Sequence, residues 1–289
     1  MGKRNAIIMA AGTSSRFVPL SAEKPKGLIE VKGERLIERQ IKQLKEAEVD
    51  DITLVVGYKG EMFSFLREKY GVSIVLNDDY ARYNNTSSII RVIDRLDNTF
   101  VCSSDNYFPE NVFIKDETDS FYSALYAEGE TNEYCITVNQ ADKITDICVG
   151  GHDAWYMIGH VFFNREFSDA FRKVMIQEYE HEATRKQYWE DVYIRHIKNL
   201  PLMKINRYEK GEILEFDSLD ELRLFDESYI GDTRSMVVKQ IGKTLGVSES
   251  QIHSFRNISC KGDNLHFRFI AGDTEYEYWA DKGTEIVRI

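Results

Sequence analysis

Two cations stand close behind a small-residue turn near the start of the chain. Residues 6–11 form an apolar run that reads as a short buried strand, and Gly12 ends it. Thr13, Ser14 and Ser15 follow, small enough for the backbone to approach a ligand with its N–H groups outward. Arg16 and Lys26 then bring positive charge. A strand, a tight turn and two cations are the parts needed to hold a triphosphate, although an ordinary strand–turn with solvated basic residues has the same composition. Asp105 has the complementary chemistry. It lies just past the apolar stretch 100–103, where a carboxylate can face a ligand crevice and bind Mg2+, a hard cation that prefers oxygen. It can equally cap a helix or close a turn.

The elements that must carry these groups follow from hydrophobic spacing. Residues 36–48 are apolar at Leu36, Ile37, Ile41, Leu44 and Ala47, a helical period. Residues 52–56 make a second buried strand ended by Gly57, 61–70 a helix and 72–76 a third strand. Strand and helix alternating at this spacing predict a parallel sheet with helices on its faces. Ligands in such sheets bind at the carboxyl ends of the strands, where Gly12 and Gly57 fall. The polar cluster 84–88 predicts an N-cap for a helix over 89–96. Residues 121–127, 134–139 and 144–149 alternate as half-buried strands do, and 155–164 is a strand rich in aromatics. Helices are expected over 165–178 and 185–197 and short strands over 202–206 and 212–216. Asp217 is expected to cap a helix running to about Phe225.

The fold class expected is α/β: a mostly parallel, mixed, Rossmann-like sheet flanked by helices, with a small α+β C-terminal extension. Residues 1–229 form the main domain and 230–289 the extension, with 229–233 as a linker. The extension reads as a helix over 235–245 and strands over 253–260, 265–271, 274–279 and 285–289. Turns at 261–264 and 271–274 predict an antiparallel meander.

Composition excludes several classes. The 289 residues are 43% hydrophobic and 29% charged, as in soluble globular chains. A net charge of −11 argues against nucleic-acid binding, which needs a basic footprint, and leaves anionic substrates to local Lys and Arg. Cys102, Cys135, Cys148 and Cys260 show no CxxC pair, so neither zinc nor a disulfide framework is indicated. They read as reduced thiols of a cytoplasmic protein. No signal-peptide pattern opens the chain, and no apolar run nears the ~20 residues that cross a bilayer.

As a whole, Ala10-Ala11-Gly12-x-x-x-Arg16, then Pro19-Leu20 and Lys24-Pro25-Lys26-x-Leu28, resembles the opening of the nucleotidyltransferases that make nucleotide-activated sugars and alcohols. Leu36-Ile37 and Val55-Val56-Gly57-Tyr58 continue the likeness. One departure is Ser14, where the family often has a second glycine. The stretch Asn77-Asp78-x-Tyr80-Ala81-x-Tyr83-Asn84-Asn85-x-x-Ser88 resembles the bacterial choline-phosphate cytidylyltransferases, and about four fifths of the chain follows that pattern in order. The resemblance implies that Ala10, Ala11, Gly12, Thr13, Ser14, Ser15, Gly57 and Tyr58 line the nucleotide site. It implies that Asn85 and Ser88 recognise cytosine or ribose. Asp105, in Asp105-Asn106-Tyr107, and Asp217, in Glu215-Phe216-Asp217-Ser218, resemble the family's two Mg2+ acids. Arg16, Lys26, Asp105 and Asp217 are thereby the catalytic set.

The activity implied is transfer of CMP from CTP to phosphocholine. The alternatives are 2-aminoethylphosphonate, phosphoethanolamine or a sugar-1-phosphate as acceptor, or a non-catalytic nucleotide-binding role. A trimethylammonium group offers no N–H, so aromatic faces and carboxylates must hold it. Tyr134, Tyr188, Trp189, Asp191 and Glu215 are the acceptor candidates on this resemblance, although aromatics also pack cores. Small molecules, not membranes, are the partners expected, and a homodimer is the assembly left open. The tail resembles the opening of choline and ethanolamine kinases at Ile258-Ser259-x-Lys261-Gly262-x-Asn264-x-x-Phe267 and Lys282-Gly283-Thr284-Glu285. The sequence stops before any kinase catalytic loop, and Trp279 stands where a phosphate-binding base is expected. The tail is therefore expected to lack kinase activity and to be either a truncated fusion or a remnant that serves packing or dimerisation.

Overall fold

The computed structural model describes residues 3–113, 116–261, 264–280 and 285–289. Two compact units are present: Met1–Gly12 with Ile37–Leu214, and Thr13–Leu36 with Glu215–Ile289.

The larger unit is built on a seven-stranded sheet. In chain order its main elements are β1 (Arg4–Ala10), α1 (Leu36–Glu46), β2 (Asp51–Val56), α2 (Phe65–Tyr70), β3 (Ser73–Leu76), α3 (Thr86–Ile90) and β4 (Asn98–Ser103). There follow β5 (Phe121–Val138), β6 (Ile144–Phe163), α4 (Arg165–Glu178), α5 (Glu182–Arg185), α6 (Trp189–His196) and β7 (Lys204–Arg207). The sheet order is β7-β5-β6-β4-β1-β2-β3. The strands β4, β1, β2 and β3 run parallel, β7 is parallel to β5, and β6 is antiparallel to both neighbours. This is the mostly parallel, mixed sheet that the sequence predicts. Its central strands are apolar on both faces, with Ile7, Ile8, Leu54 and Val55 fully buried.

Two differences from the sequence reading have local causes. The stretches 121–127 and 134–139 are one strand of 18 residues, and 144–149 and 155–164 belong to one strand of 20 residues. Bulges between Ala127 and Glu130 and between Thr131 and Tyr134 carry the ladder through a glycine-containing polar stretch where alternation fails. The helix expected over 185–197 starts only at Trp189: α5 ends at Arg185, and Tyr188 is the extended N-cap of α6.

In the smaller unit, residues 13–36 form short helical turns and the two-stranded pairing of Glu30–Val31 with Glu34–Arg35. After Glu215 come α7 (Leu219–Phe225), α8 (Ser228–Gly231) and α9 (Met236–Leu245), then β8 (Ile252–Lys261), β9 (Asn264–Ala271), β10 (Thr274–Trp279) and β11 (Glu285–Arg288). The four strands pair antiparallel in sequence order, the meander expected. The turn residues Gly262 and Asp263 and the stretch 282–284 lie outside the described residues. Residues 229–233, read as a linker, are instead tightly bonded. Tyr229 is buried and its hydroxyl donates to the Glu30 carbonyl at 2.7 Å, while buried Thr233 donates its N–H to Glu249 Oε2 at 2.8 Å. Ser235 caps α9, accepting the Val238 N–H at 3.1 Å.

A histidine in the larger unit sets part of its acid stability. His160 is fully buried among Phe100, Phe108, Phe113 and Phe121, with Nδ1 2.9 Å from Ser123 Oγ. Burial drives its pKa down to about 3. The unfolded chain takes up this proton near pH 6.5 and the folded chain does not, so this contribution is intact above pH 6.5 and lost as pH falls towards 3. Urea unfolding between pH 6.5 and 4.5 should show a loss of about 1.4 kcal/mol per pH unit from this one group. His160→Phe should flatten the slope by one proton; an unchanged slope rules the assignment out.

Candidate active site

The carboxyl edge of the parallel strands is drawn together by backbone contacts. In register, Met9 lies beside Ser103 on one side and Val55 on the other. The Tyr58 N–H donates to the Ala11 carbonyl at 3.2 Å, and the Ser104 N–H to the Met9 carbonyl at 3.1 Å. Gly57 permits this approach, because a Cβ there would meet Tyr80 Cβ at 2.7 Å and the Ala11 oxygen at 2.9 Å. Ala10, Ala11, Gly12, Gly57 and Tyr58 therefore sit at adjacent strand ends. Asp105 lies two residues past β4, as the sequence predicts.

In the smaller unit, Ser14 adopts φ 48° and ψ 45°, the left-handed region. Serine here holds, against its Cβ, a conformation that favours glycine. The Phe17 N–H closes the turn on the Ser14 carbonyl at 2.9 Å. Lys26 follows Pro25 in a one-turn helix and is only 5% exposed. Its ammonium lies 3.3 Å from Glu215 Oε1, 3.5 Å from Asp217 Oδ1 and 5.9 Å from the Phe17 ring centroid. The exposed Arg16 binds the other oxygen of Asp217 at 2.5 Å. The unit thus brings together both predicted cations and two predicted acids. Asp217 is not the helix cap. Ser218 is, accepting the Glu221 N–H at 3.1 Å, while the Asp217 N–H donates to Glu221 Oε2. The Asp217 carboxylate is thereby spared for the cations.

Asn85 and Ser88 hold the framework of the larger unit. Ser88 is buried, and its hydroxyl accepts from Asn77 Nδ2 at 2.9 Å. Asn85 does not cap its own helix. Its Oδ1 accepts the Trp189 N–H at 2.7 Å, and its Nδ2 donates to Glu190 Oε2 at 3.2 Å. It satisfies a free N–H at the start of α6 and joins α3 to it.

A second cluster stands at the start of α6. The Tyr134 hydroxyl donates to Asp191 Oδ1 at 2.9 Å, and Asp191 Oδ2 accepts the Tyr188 N–H at 2.9 Å. Tyr188 is 46% exposed. Trp189 faces the other way: it is buried and packs on Tyr122, Phe163 and Phe171 in the core. Neighbours on a helix point in different directions, which removes Trp189 from the exposed face of the cluster. Glu190, adjacent to the acceptor candidates in sequence but not counted among them, follows on the first turn of α6. Its carboxylate accepts from Tyr122 at 3.2 Å and from Asn85. Burial pushes its pKa up to about 7, against the lowering effect of those hydrogen bonds. The signal was the run Tyr188-Trp189-Glu190-Asp191 read with Tyr188 as cap, which places both acids in the first helical turn.

A Rossmann-like sheet in one unit and paired cations and carboxylates in the other match the parts of a nucleotidyltransferase, and the comparisons with known proteins show that class. The chain belongs to the family of the MobA-like NTP transferase domain, whose model matches residues 6–174. It is 36% identical over 222 residues to a choline-phosphate cytidylyltransferase of Streptococcus pneumoniae, covering 77% of this chain and 96% of that one. It is also 36% identical over 237 residues to a 2-aminoethylphosphonate cytidylyltransferase of Lancefieldella rimae, covering 81% and 96%. Among solved structures, the CTP:phosphocholine cytidylyltransferase of Streptococcus pneumoniae superposes with a TM-score of 0.75 at 35% identity, over 78% of this chain and 99% of that one. Among the described residues no helix is long and apolar enough to cross a membrane.

The strained turn gives a direct test. Ser14→Gly should raise unfolding free energy by up to about 1 kcal/mol, and Ser14→Val should lower it by at least as much. Chemical denaturation measures both, and equal stability of the two variants contradicts the left-handed assignment.

Proposed function

We propose that this nucleotidyltransferase is a Mg2+-dependent cytidylyltransferase that transfers CMP from CTP to phosphocholine and releases pyrophosphate. The observation that carries the proposal is the buried Lys26 ammonium, held by Glu215 and Asp217 with Arg16 on the same aspartate. An acceptor phosphate oxygen is already anionic at neutral pH, so its in-line attack on the α-phosphorus needs no general base. Positioning and charge neutralisation remain as the catalytic tasks. Lys26 suits the α-phosphate and the incoming phosphate. Arg16 suits the β- and γ-phosphates, which its planar fork matches.

The donor chemistry fits Mg2+. Asp105 and Asp217 each offer hard carboxylate oxygens at the end of an element. Among the described residues no group of three or more His, Cys, Asp or Glu could form a protein-only metal cage. An ion held by one or two carboxylates, completed by water and phosphate oxygens, is the usual situation of Mg2+ at nucleotide sites. When bound, it offsets charge growing on the leaving pyrophosphate. The backbone at Ala10–Gly12, Thr13–Ser15 and Gly57–Tyr58 belongs to the nucleotide on this reading, and Asn85 and Ser88 act as its supports.

Tyr134 and Tyr188, joined through Asp191 and backed by Glu190, are assigned to the acceptor's cationic head, with carboxylates compensating its charge. A second reading, 2-aminoethylphosphonate as acceptor, is favoured by the equal identity to the relative of that name. The same pocket serves a primary ammonium, with the carboxylates as hydrogen-bond acceptors.

Lys26→Ala and Asp105→Ala should each lower turnover by at least ~100-fold, the scale of losing one charge-stabilising group. Near-wild-type rates in either would remove that assignment. With CTP and a panel of acceptors read by pyrophosphate release, phosphocholine should give the highest kcat/KM; preference for 2-aminoethylphosphonate would establish the second reading. Because Glu190 gains its charge as pH rises through about 7, KM for a cationic acceptor should fall between pH 6 and 8. Glu190→Gln should abolish that dependence, and its persistence would show that Glu190 is not the titrating group.

A further inference from the structure

We propose that Gln40 is a positioning residue that fixes the turn carrying Asp105 and so sets the affinity for the divalent cation. The inference rests on the role of Asp105 given above. Gln40 lies on α1 and is fully buried. Its Nε2 donates one hydrogen to the Ser103 carbonyl and the other to the Asn106 carbonyl, each at 2.9 Å. These carbonyls bracket Ser104 and Asp105. A primary amide has two N–H donors on one nitrogen, and both are spent on the two ends of this turn.

The same helix face continues the pattern. Gln43 Nε2 donates to the Phe108 carbonyl at 3.0 Å. Arg39 Nε donates to the same carbonyl at 2.6 Å, Arg39 Nη2 donates to the Pro109 carbonyl, and the guanidinium lies 4.9 Å from the Tyr107 ring centroid. Thus carbonyls at 103, 106, 108 and 109 are held by side chains of α1. The far side of the turn has no room to spare: a Cβ at Gly159 would lie 2.7 Å from Ser103 Cβ. With Ser104 tied to Met9, the backbone around Asp105 is held from β1 and α1 and closed in by β6.

A buried glutamine that only filled space could be replaced by methionine with little consequence for the metal. Gln40 as a clamp predicts otherwise. Loss of both donors removes the hydrogen bonds at the two ends of the turn, the one to Asn106 buried and the one to Ser103 part-buried, and loosens the turn, and a carboxylate in the same volume adds repulsion. Groups that support metal ligands typically affect affinity or activity ~10–100-fold.

The test uses the full chain. Mn2+ binding in the presence of CTP is measured by electron paramagnetic resonance, Mg2+ activation by pyrophosphate release, and hydrogen exchange across residues 103–109. Gln40→Met should weaken Mn2+ binding and raise the Mg2+ concentration for half-maximal rate by at least ~10-fold. KM for CTP at saturating Mg2+ should stay within about threefold, since the phosphate ligands are untouched. Exchange should quicken at residues 103–107 and not in β1–β3. Gln43→Met, whose amide reaches only Phe108, should leave the Mg2+ dependence within about threefold. If Gln40→Met does not fold, Gln40→Glu reads the same quantities. A folded Gln40 variant with wild-type Mn2+ affinity and Mg2+ activation overturns the proposal, as does an equal effect from Gln43→Met. Asp105→Ala separates the two levels. If it retains Mn2+ binding and turnover, the metal role of Asp105 fails; if it loses both while Gln40→Met does not, only the clamp fails.

Discussion

A lysine ammonium taken out of water has to be compensated, and in this protein much local structure answers to that need. Lys26 is buried with a carboxylate on either side of a single phenylalanine: Glu215 and Asp217 face the ammonium, while Phe216 is buried. Alternation along extended backbone delivers that arrangement, since residues 215 and 217 share a face and 216 takes the other. Ser218 begins α7 immediately afterwards, so the helix opens without claiming Asp217 as its cap. Unpaired, the ammonium would carry a desolvation cost of several kcal/mol. Paired, it sits preorganised for an anion, and the aspartate it shares with Arg16 ties the two cations together.

The strands β1, β2 and β4 were legible because their centres are buried on both faces and read as apolar runs ended by small residues, while the edge strand β3 is only partly buried. The long pair β5 and β6 was harder, since polar residues and glycines around 128–133 and 150–153 interrupt alternation while bulges keep the ladder intact. Tyr188 shows another limit. Nothing in a helical spacing of apolar residues says that the chain is non-helical at 186–188 and starts a new helix at Trp189. Yet that break makes Tyr188 an exposed cap and turns Trp189 inward.

The site residues were legible to differing depth. Arg16, Lys26, Glu215 and Asp217 could be found one at a time from motif and charge, but their mutual pairing is a tertiary fact. Asn85 and Ser88 were read as nucleotide contacts, whereas folding directs their side chains to α6 and Asn77. Gln40 left a trace that was passed over. It sits four residues from both Leu36 and Leu44, on the apolar stripe of α1, where a glutamine is out of place unless its amide has partners. Those partners are carbonyls more than 60 residues away.

Arg16, Lys26, Glu215 and Asp217 together sum to zero charge, and this bears on how fast an anion arrives. The group's field cancels within a few ångströms, so what a distant nucleotide meets is the net charge of −11. Encounter with a triphosphate is therefore opposed at long range and favoured only at contact. Dissolved salt screens the opposing field over about 10 Å at 0.1 M. Moderate ionic strength thus speeds the bimolecular encounter, the reverse of the behaviour of a nucleotide-binding surface that advertises its positive charge to solvent.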